Sequence, residues 1–293
     1  MGSDPVESAS VHDVTGHGAD ASSAALPAWS LPKDAVDRID LPAHWPERVT
    51  RDWAFGGSAG KGARVCILDS GVENGHPLVG ELESAVVISI GDDDEVLAEK
   101  DLEGDVSGHG TACAGIVRAL APGCDISSVR VLGSTFTGSG AVLLAGLRYA
   151  VEQSFDVINM SLSTTKKPFA GVLHELADNA YFRRTVLVAS AHNMPVESYP
   201  WRFSSVISVG SHEEPDPLAF FYNPNPPVEF FGRGVNVEVA WVGGRSLKVS
   251  GNSFATPHLS AICALILAKH PELTPFQLKS VLYLTATNVG GGR

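Results

Sequence analysis

An aspartate at 69, a histidine at 109 and a serine at 253 stand in three short stretches of similar layout. A strand-like run ends in Asp69-Ser70-Gly71; the others read Gly108-His109-Gly110-Thr111 and Gly251-Asn252-Ser253. A carboxylate, an imidazole and a hydroxyl are the parts that turn an alcohol into a nucleophile: the ring takes the hydroxyl proton, and the acid orients the ring and stabilises its charged form. Each residue is ambiguous alone. Asp69 reads equally as a turn residue capping a loop, and Ser253 as an ordinary helix cap. Gly-His-Gly also occurs at 16–18, in a polar stretch with no helical pattern behind it, so the tripeptide carries little. His109 is set apart by the run Thr111-Ala112-Cys113-Ala114-Gly115 on its carboxyl side, small residues that let a helix lie close to a sheet.

The order Asp…His…Ser separates the unrelated folds that converged on this chemistry. In that order, with the longer matches Gly108–Gly115 and Gly251–His258, the chain resembles the subtilisin-like serine peptidases over about residues 53–287. The resemblance implies an α/β fold of three layers, with a mostly parallel sheet flanked by helices, and a serine endopeptidase working through an acyl-enzyme. It assigns the nucleophile to Ser253, the base to His109 and the orienting acid to Asp69. Asn193, ending Val188-Ala189-Ser190-Ala191-His192-Asn193, corresponds to an oxyanion donor, although a loop asparagine favouring a turn is the plain alternative. Phe155–Leu162 resembles one wall of the primary specificity pocket and brings in Ser161, Leu162 and Ser163. Gly138-Ser139-Gly140 resembles the segment that pairs with extended peptide, adding Ser139 and Gly140, so substrate is expected as an added strand.

Three positions depart from the family pattern. Asn252 replaces a threonine whose hydroxyl is a secondary oxyanion contact: either turnover falls or the Asn amide substitutes. Ser163 and His192 replace glycines bordering the primary pocket, which implies a smaller or more polar pocket. His192 either confers selectivity or is a solvent-facing ring. These departures support a second reading, a catalytically weakened fold that binds a peptide or partner chain; the retention of Asp69, His109, Ser253 and Asn193 speaks against it. The altered pocket suggests processing of a precursor peptide, with general degradation as the competitor. The stretch Arg118–Asp125 is shorter than in many relatives, so the tight calcium loop is expected to be missing and no metal or cofactor is expected. Asp92-Asp93-Asp94 reads as an acidic turn, because one run supplies few convergent ligands.

Short β-branched runs at 64–69, 85–90, 125–131, 157–161, 186–190, 206–209 and 237–241 must position these residues, alternating with helical stretches at about 111–120, 139–153, 169–182, 254–270 and 275–286. That alternation predicts a mostly parallel sheet with helices on both faces. Thr274, Pro275 and Gln277 form a helix start with a capping box. Pro257 is expected in the first turn of its helix, where no backbone bond is lost. Residues 1–30, Ala/Ser/Gly/Asp-rich, read as a disordered or tag-like segment. Residues 31–60, with tryptophans and prolines, read as an irregular segment packed on the core, and 61–293 as the peptidase domain.

Bulk properties agree with a soluble acidic enzyme. The 293 residues are 44% hydrophobic and carry a net charge of −12, which argues against a nucleic-acid partner. Four scattered cysteines make no disulfide framework and no zinc pattern; Cys66 and Cys263 read as small buried hydrophobes, and pairing of Cys124 stays open. No run reaches the ~20 apolar residues of a membrane span. No secretory signal is seen at the start, so the expected location is cytoplasmic, or outside the cell if a leader is removed. A peptide or protein substrate is the partner expected, and oligomeric state is left open.

Overall fold

The structure, a computed structural model, describes residues 30–32, 35, 45–91, 93, 95–135 and 137–289. The readings of residues 1–29 and of Asp92 and Asp94 lie outside the described residues. Contacts divide the chain into Met1–Ala43 and His44–Arg293, and the elements below belong to the second unit.

A short helix α1 (Arg51–Phe55) comes first, then β1 (Arg64–Asp69), β2 (Ser84–Ile90) and β3 (Val96–Lys100). Next are α2 (His109–Leu120), β4 (Asp125–Arg130), α3 (Gly140–Glu152) and β5 (Val157–Met160). The chain continues through α4 (Ala170–Phe182), β6 (Val186–Ser190), β7 (Val206–His212), β8 (Phe221–Tyr222) and β9 (Phe230–Arg233). It ends with β10 (Val237–Trp241), β11 (Arg245–Val249), α5 (Asn252–Lys269) and α6 (Pro275–Thr285).

Nine of these strands form one sheet in the order β3-β2-β4-β1-β5-β6-β7-β9-β8. Pairing is parallel from β2 through β9, and only β3 and β8 run antiparallel at the edges. The central strands are apolar throughout because both their faces are covered: Val65–Asp69 and Val186–Ser190 are entirely buried. On one face α2, α5 and α6 build a core around Ile67, Val188 and Ile262; on the other, α3 and α4 build a second core around Leu68, Ile158 and Leu187. Helix α5 is buried from Phe254 through Leu267, as a helix apolar on all sides must be.

One strand reading changes. Val237–Trp241 is a strand, but it stays out of the main sheet and pairs antiparallel with β11. Val237 and Val239 are buried with Glu238 exposed between them, and the inward valines meet Ala112, Ile116 and Phe254 in a small separate core. Phe230–Arg233, which the sequence reading did not pick out, takes the place beside β7 instead. Within the stretch expected to be irregular, α1 forms because the Thr50 hydroxyl accepts the Trp53 N–H. Lys269 donates to the carbonyls of Asp52 and Gly56, and Trp53 stacks on His270 at 4.2 Å. The predicted capping box of α6 is present, with Thr274 and Gln277 bonded both ways.

Candidate active site

Strand β1 has β4 on one side and β5 on the other, while the chain moves from β4 across β1 to β5. That reversal makes a crevice at the carboxyl ends of the strands, where α/β sheets build their sites. Asp69 is the last residue of β1 and its side chain is 0% exposed. One carboxylate oxygen accepts from the Ser70 N–H at 2.8 Å. His109 opens α2, and its Nδ1 lies 2.8 and 3.0 Å from the two Asp69 oxygens. A carboxylate can only accept, so Nδ1 carries the proton and Nε2 is the basic nitrogen.

The helix must come unusually near the strand end for this pair to meet. Gly110 permits it: a β-carbon there would collide with the carbonyl of Gly71. Asp105 fixes the start of α2, a role the sequence reading missed. Its Oδ1 accepts from the Ser107 and Gly108 N–H groups and the Ser70 hydroxyl, and its Oδ2 from the Thr111 N–H at 2.7 Å. An acid a few residues ahead of a helical histidine was the available signal. Burial of the His109 ring opposes its charged form, but the charge and hydrogen bond of Asp69, aided by Asp105, prevail and raise its pKa above 6.5.

Ser253 is the second residue of α5, at an N-terminus whose helix dipole favours negative charge. Ser253 and His109 line one cleft of about 360 Å³ together with Ser161, Leu162, Ser163, His192 and Asn193. Asn193 has a determined orientation. Its Oδ1 accepts the Asn252 backbone N–H at 2.9 Å, so the NH₂ end is the donor left for the cleft. Next to this cleft, a hollow of about 220 Å³ is lined by Ser139 and Gly140 with Leu162 and Ser163. The residues expected on the two sides of an extended peptide are therefore neighbours in space. A larger hollow of about 680 Å³, between residues 45–51 and 284–289, holds none of them.

Pro257 is not in the first turn. The helix begins at Asn252, so the proline is its sixth residue and denies the Ser253 carbonyl its i→i+4 donor. That carbonyl accepts instead from the Ser161 hydroxyl at 2.7 Å, with the Cys113 thiol at 3.8 Å. Ser161 in turn accepts from Asn159 Nδ2 at 3.1 Å, and Asn159 Oδ1 accepts from Ser260 at 2.9 Å. A buried polar chain thus ties the candidate nucleophile to the end of β5, and the Ser161 hydroxyl is committed internally. Phe254, Leu132 and Cys113 were also missed. Phe254 and Leu132 line the cleft, and the Phe254 ring lies 5.4 Å from that of His109. Cys113 brings its sulfur within 4.8 Å of the ligand atoms of Asp69 and His109, a spacing that could hold an ion. Burial holds its thiol protonated and the carboxylate is already bonded to the ring, so the trio needs no metal to account for it. All four cysteines are free and buried.

Asn252 is not turned into the cleft. Its Nδ2 donates to the carbonyls of Ala191 and His192 at 3.2 and 3.3 Å, and its Oδ1 accepts from the Ser211 N–H and hydroxyl at 3.0 and 2.6 Å. The idea that its amide replaces a threonine hydroxyl at the oxyanion has no donor left to support it.

A mostly parallel sheet between two helical layers, with an Asp–His pair at its switch point and a serine heading the buried helix, defines the subtilisin-like class. Residues 60–293 match the subtilase family, and the chain belongs to it. It is 32% identical over 245 residues to a thermostable alkaline protease of Halalkalibacterium halodurans, covering 80% of this chain and 64% of that one, slightly under two thirds. Subtilisin DY of Bacillus licheniformis is 30% identical over 249 residues, covering 80% and 87% of the two chains. Among solved structures, a cold-adapted subtilisin-like serine proteinase superposes with a TM-score of 0.63 at 25% identity, over 80% of this chain and 88% of the other.

Proposed function

We propose that this protein is a serine endopeptidase that hydrolyses peptide bonds through an acyl-enzyme. Ser253 attacks the scissile carbonyl while His109 Nε2 takes its proton and later delivers it to the leaving amine. Asp69 orients the ring and stabilises the imidazolium. The Asn193 NH₂ and the Ser253 N–H hold the oxyanion. The observation that carries this reading is the Asp69-bonded His109 opening on the same cleft as Ser253 and Asn193. Substrate lies extended between residues 138–140 and 161–163, and the active chain needs no metal. Ser253→Ala is expected to abolish both peptide cleavage and labelling by a fluorophosphonate; retained cleavage would overturn the assignment.

Within this class we read the enzyme as a processing peptidase for a precursor peptide. His192 and Ser163 put polar groups where relatives have glycine, and His192 lines the cleft beside Ser190 and Ala191. The His192 Nδ1 accepts from the Met194 N–H at 3.0 Å, which leaves the proton on Nε2 and favours side chains that accept a hydrogen bond. A P1 peptide library compared between wild type and His192→Gly tests this, and an unchanged preference would remove it. A processing enzyme should also leave casein nearly intact. The four unpaired cysteines support a reducing, cytoplasmic setting.

A further inference from the structure

Asn252, half-buried, holds a polar junction. Its backbone N–H and side chain together bond to four other residues beside the cleft. The backbone N–H fixes the Asn193 Oδ1, while the side chain grips the carbonyls of Ala191 and His192, the two residues leading into Asn193. The far end is anchored on Ser211 of β7. The orientation of the Asn252 amide is decided at both ends, because the Ser211 N–H requires an oxygen and the two carbonyls require an NH₂.

We infer that Asn252 is a positioning residue that sets the place and aim of the oxyanion donor Asn193. This rests on the endopeptidase reading above. The physical reason is that an oxyanion donor works only if held where charge develops, without reorganising during the reaction. The segment from 194 to 197, immediately after Asn193, is exposed, so it lends the asparagine little support from outside. The support comes from behind, through Asn252. A threonine at this place has one hydroxyl and cannot span Ala191, His192 and Ser211 together. The substitution therefore exchanges a group facing the oxyanion for a clamp beneath its donor.

The test is a double-mutant cycle on peptide hydrolysis. Removing the donor itself, Asn193→Ala, should lower kcat by about 10²–10³-fold, a magnitude carried over from the known effect of deleting the equivalent donor in subtilisin. Asn252→Ala should lower kcat by about tenfold while KM stays within about twofold, the pattern of an interaction made only in the transition state. The double variant should be no worse than Asn193→Ala alone within about threefold, because a clamp has no effect once its cargo is gone. Fully additive losses would overturn the inference, since Asn252 would then act through Ser253 or through the fold at large. Ser211→Ala removes one anchor more gently and should show a smaller kcat loss that likewise disappears in the Asn193→Ala background. Asn252→Asp keeps the Ser211 bonds but sets a carboxylate against two carbonyls, and should be at least as impaired as Asn252→Ala. If Ser253→Ala retains cleavage the endopeptidase reading fails; if it is inactive and the cycle is additive, only the role of Asn252 fails.

Discussion

Burial alone would drive the His109 ring neutral, yet Asp69 and Asp105 hold its pKa above the ordinary 6.5. The two consequences run in opposite directions. A raised histidine pKa stabilises the fold fully at pH values below the unfolded one, and that contribution is lost as pH rises through the folded value. General-base catalysis needs the neutral ring, so activity appears as that stability is given up. We therefore expect kcat/KM to rise along a limb whose midpoint lies above pH 6.5, measured in peptide hydrolysis from pH 5 to 9 (roughly the range over which a histidine switches). Asp69→Asn should lower the remaining activity sharply and remove the upward displacement of the ring's titration, followed by NMR. A midpoint at or below 6.5 in the wild type would contradict the electrostatic account.

Helix α5 depends on two internal hydrogen bonds that can be tested separately. Ser161→Ala strips the part-buried Ser253 carbonyl of its 2.7 Å donor and leaves it only the longer Cys113 contact. Leaving a buried acceptor unmet costs about 1–3 kcal/mol, so urea unfolding should show a loss of that order, with lowered kcat because the nucleophile is attached to the freed carbonyl. His258 sits in the buried length of the same helix, its Nδ1–H donating to the Phe254 carbonyl at 2.8 Å. Desolvation lowers its pKa to about 4. The unfolded chain takes up a proton first, so stability is full above pH 6.5 and falls as pH drops toward 4. His258→Gln should flatten that acid limb in melting curves recorded across the same interval.

At the scale of the molecule, the sheet edge near the site is fastened by the ion pairs of Arg130. Arg130, at the end of β4, meets Asp101, just beyond β3, in a two-point contact at 2.9 and 3.1 Å, with the carboxylate 0% exposed. Removing one partner of such a pair leaves a charge unpaired, so Asp101→Ala should cost about 3 kcal/mol, the low end of that class, since Arg130 keeps some solvent and a Glu103 contact. Thermal or urea unfolding measures it directly. The expected independence from a tightly bound calcium ion is likewise tested on the whole fold. Saturated tight binding adds about 3–4 kcal/mol, and about 2–4 °C of Tm accompanies each kcal/mol in a domain of this size. Treatment with EDTA should therefore leave Tm within about 2 °C if no such site contributes. Among the described residues, no helix is long and apolar enough to cross a membrane.

What could be read from the chain and what could not divide along physical lines. The central strands, the helices between them and the approach of His109 to Asp69 were legible, because burial on both faces writes continuous apolar runs and close helix approach demands Gly110 and its small neighbours. The edges were not. The place of Val237–Trp241 in a separate hairpin and of Phe230–Arg233 in the sheet depends on which distant surface each strand covers, and local pattern carries no such information. The same holds for hydrogen bonds between residues far apart in sequence. Asp105 under α2, Ser161 beneath the Ser253 carbonyl and Asn252 behind Asn193 acquire their roles only when the strand ends and helix starts meet. Residue type and order determined which chemistry this chain can attempt; the folded crevice alone decided which polar atoms are left facing it, because each buried donor and acceptor must first satisfy its partner.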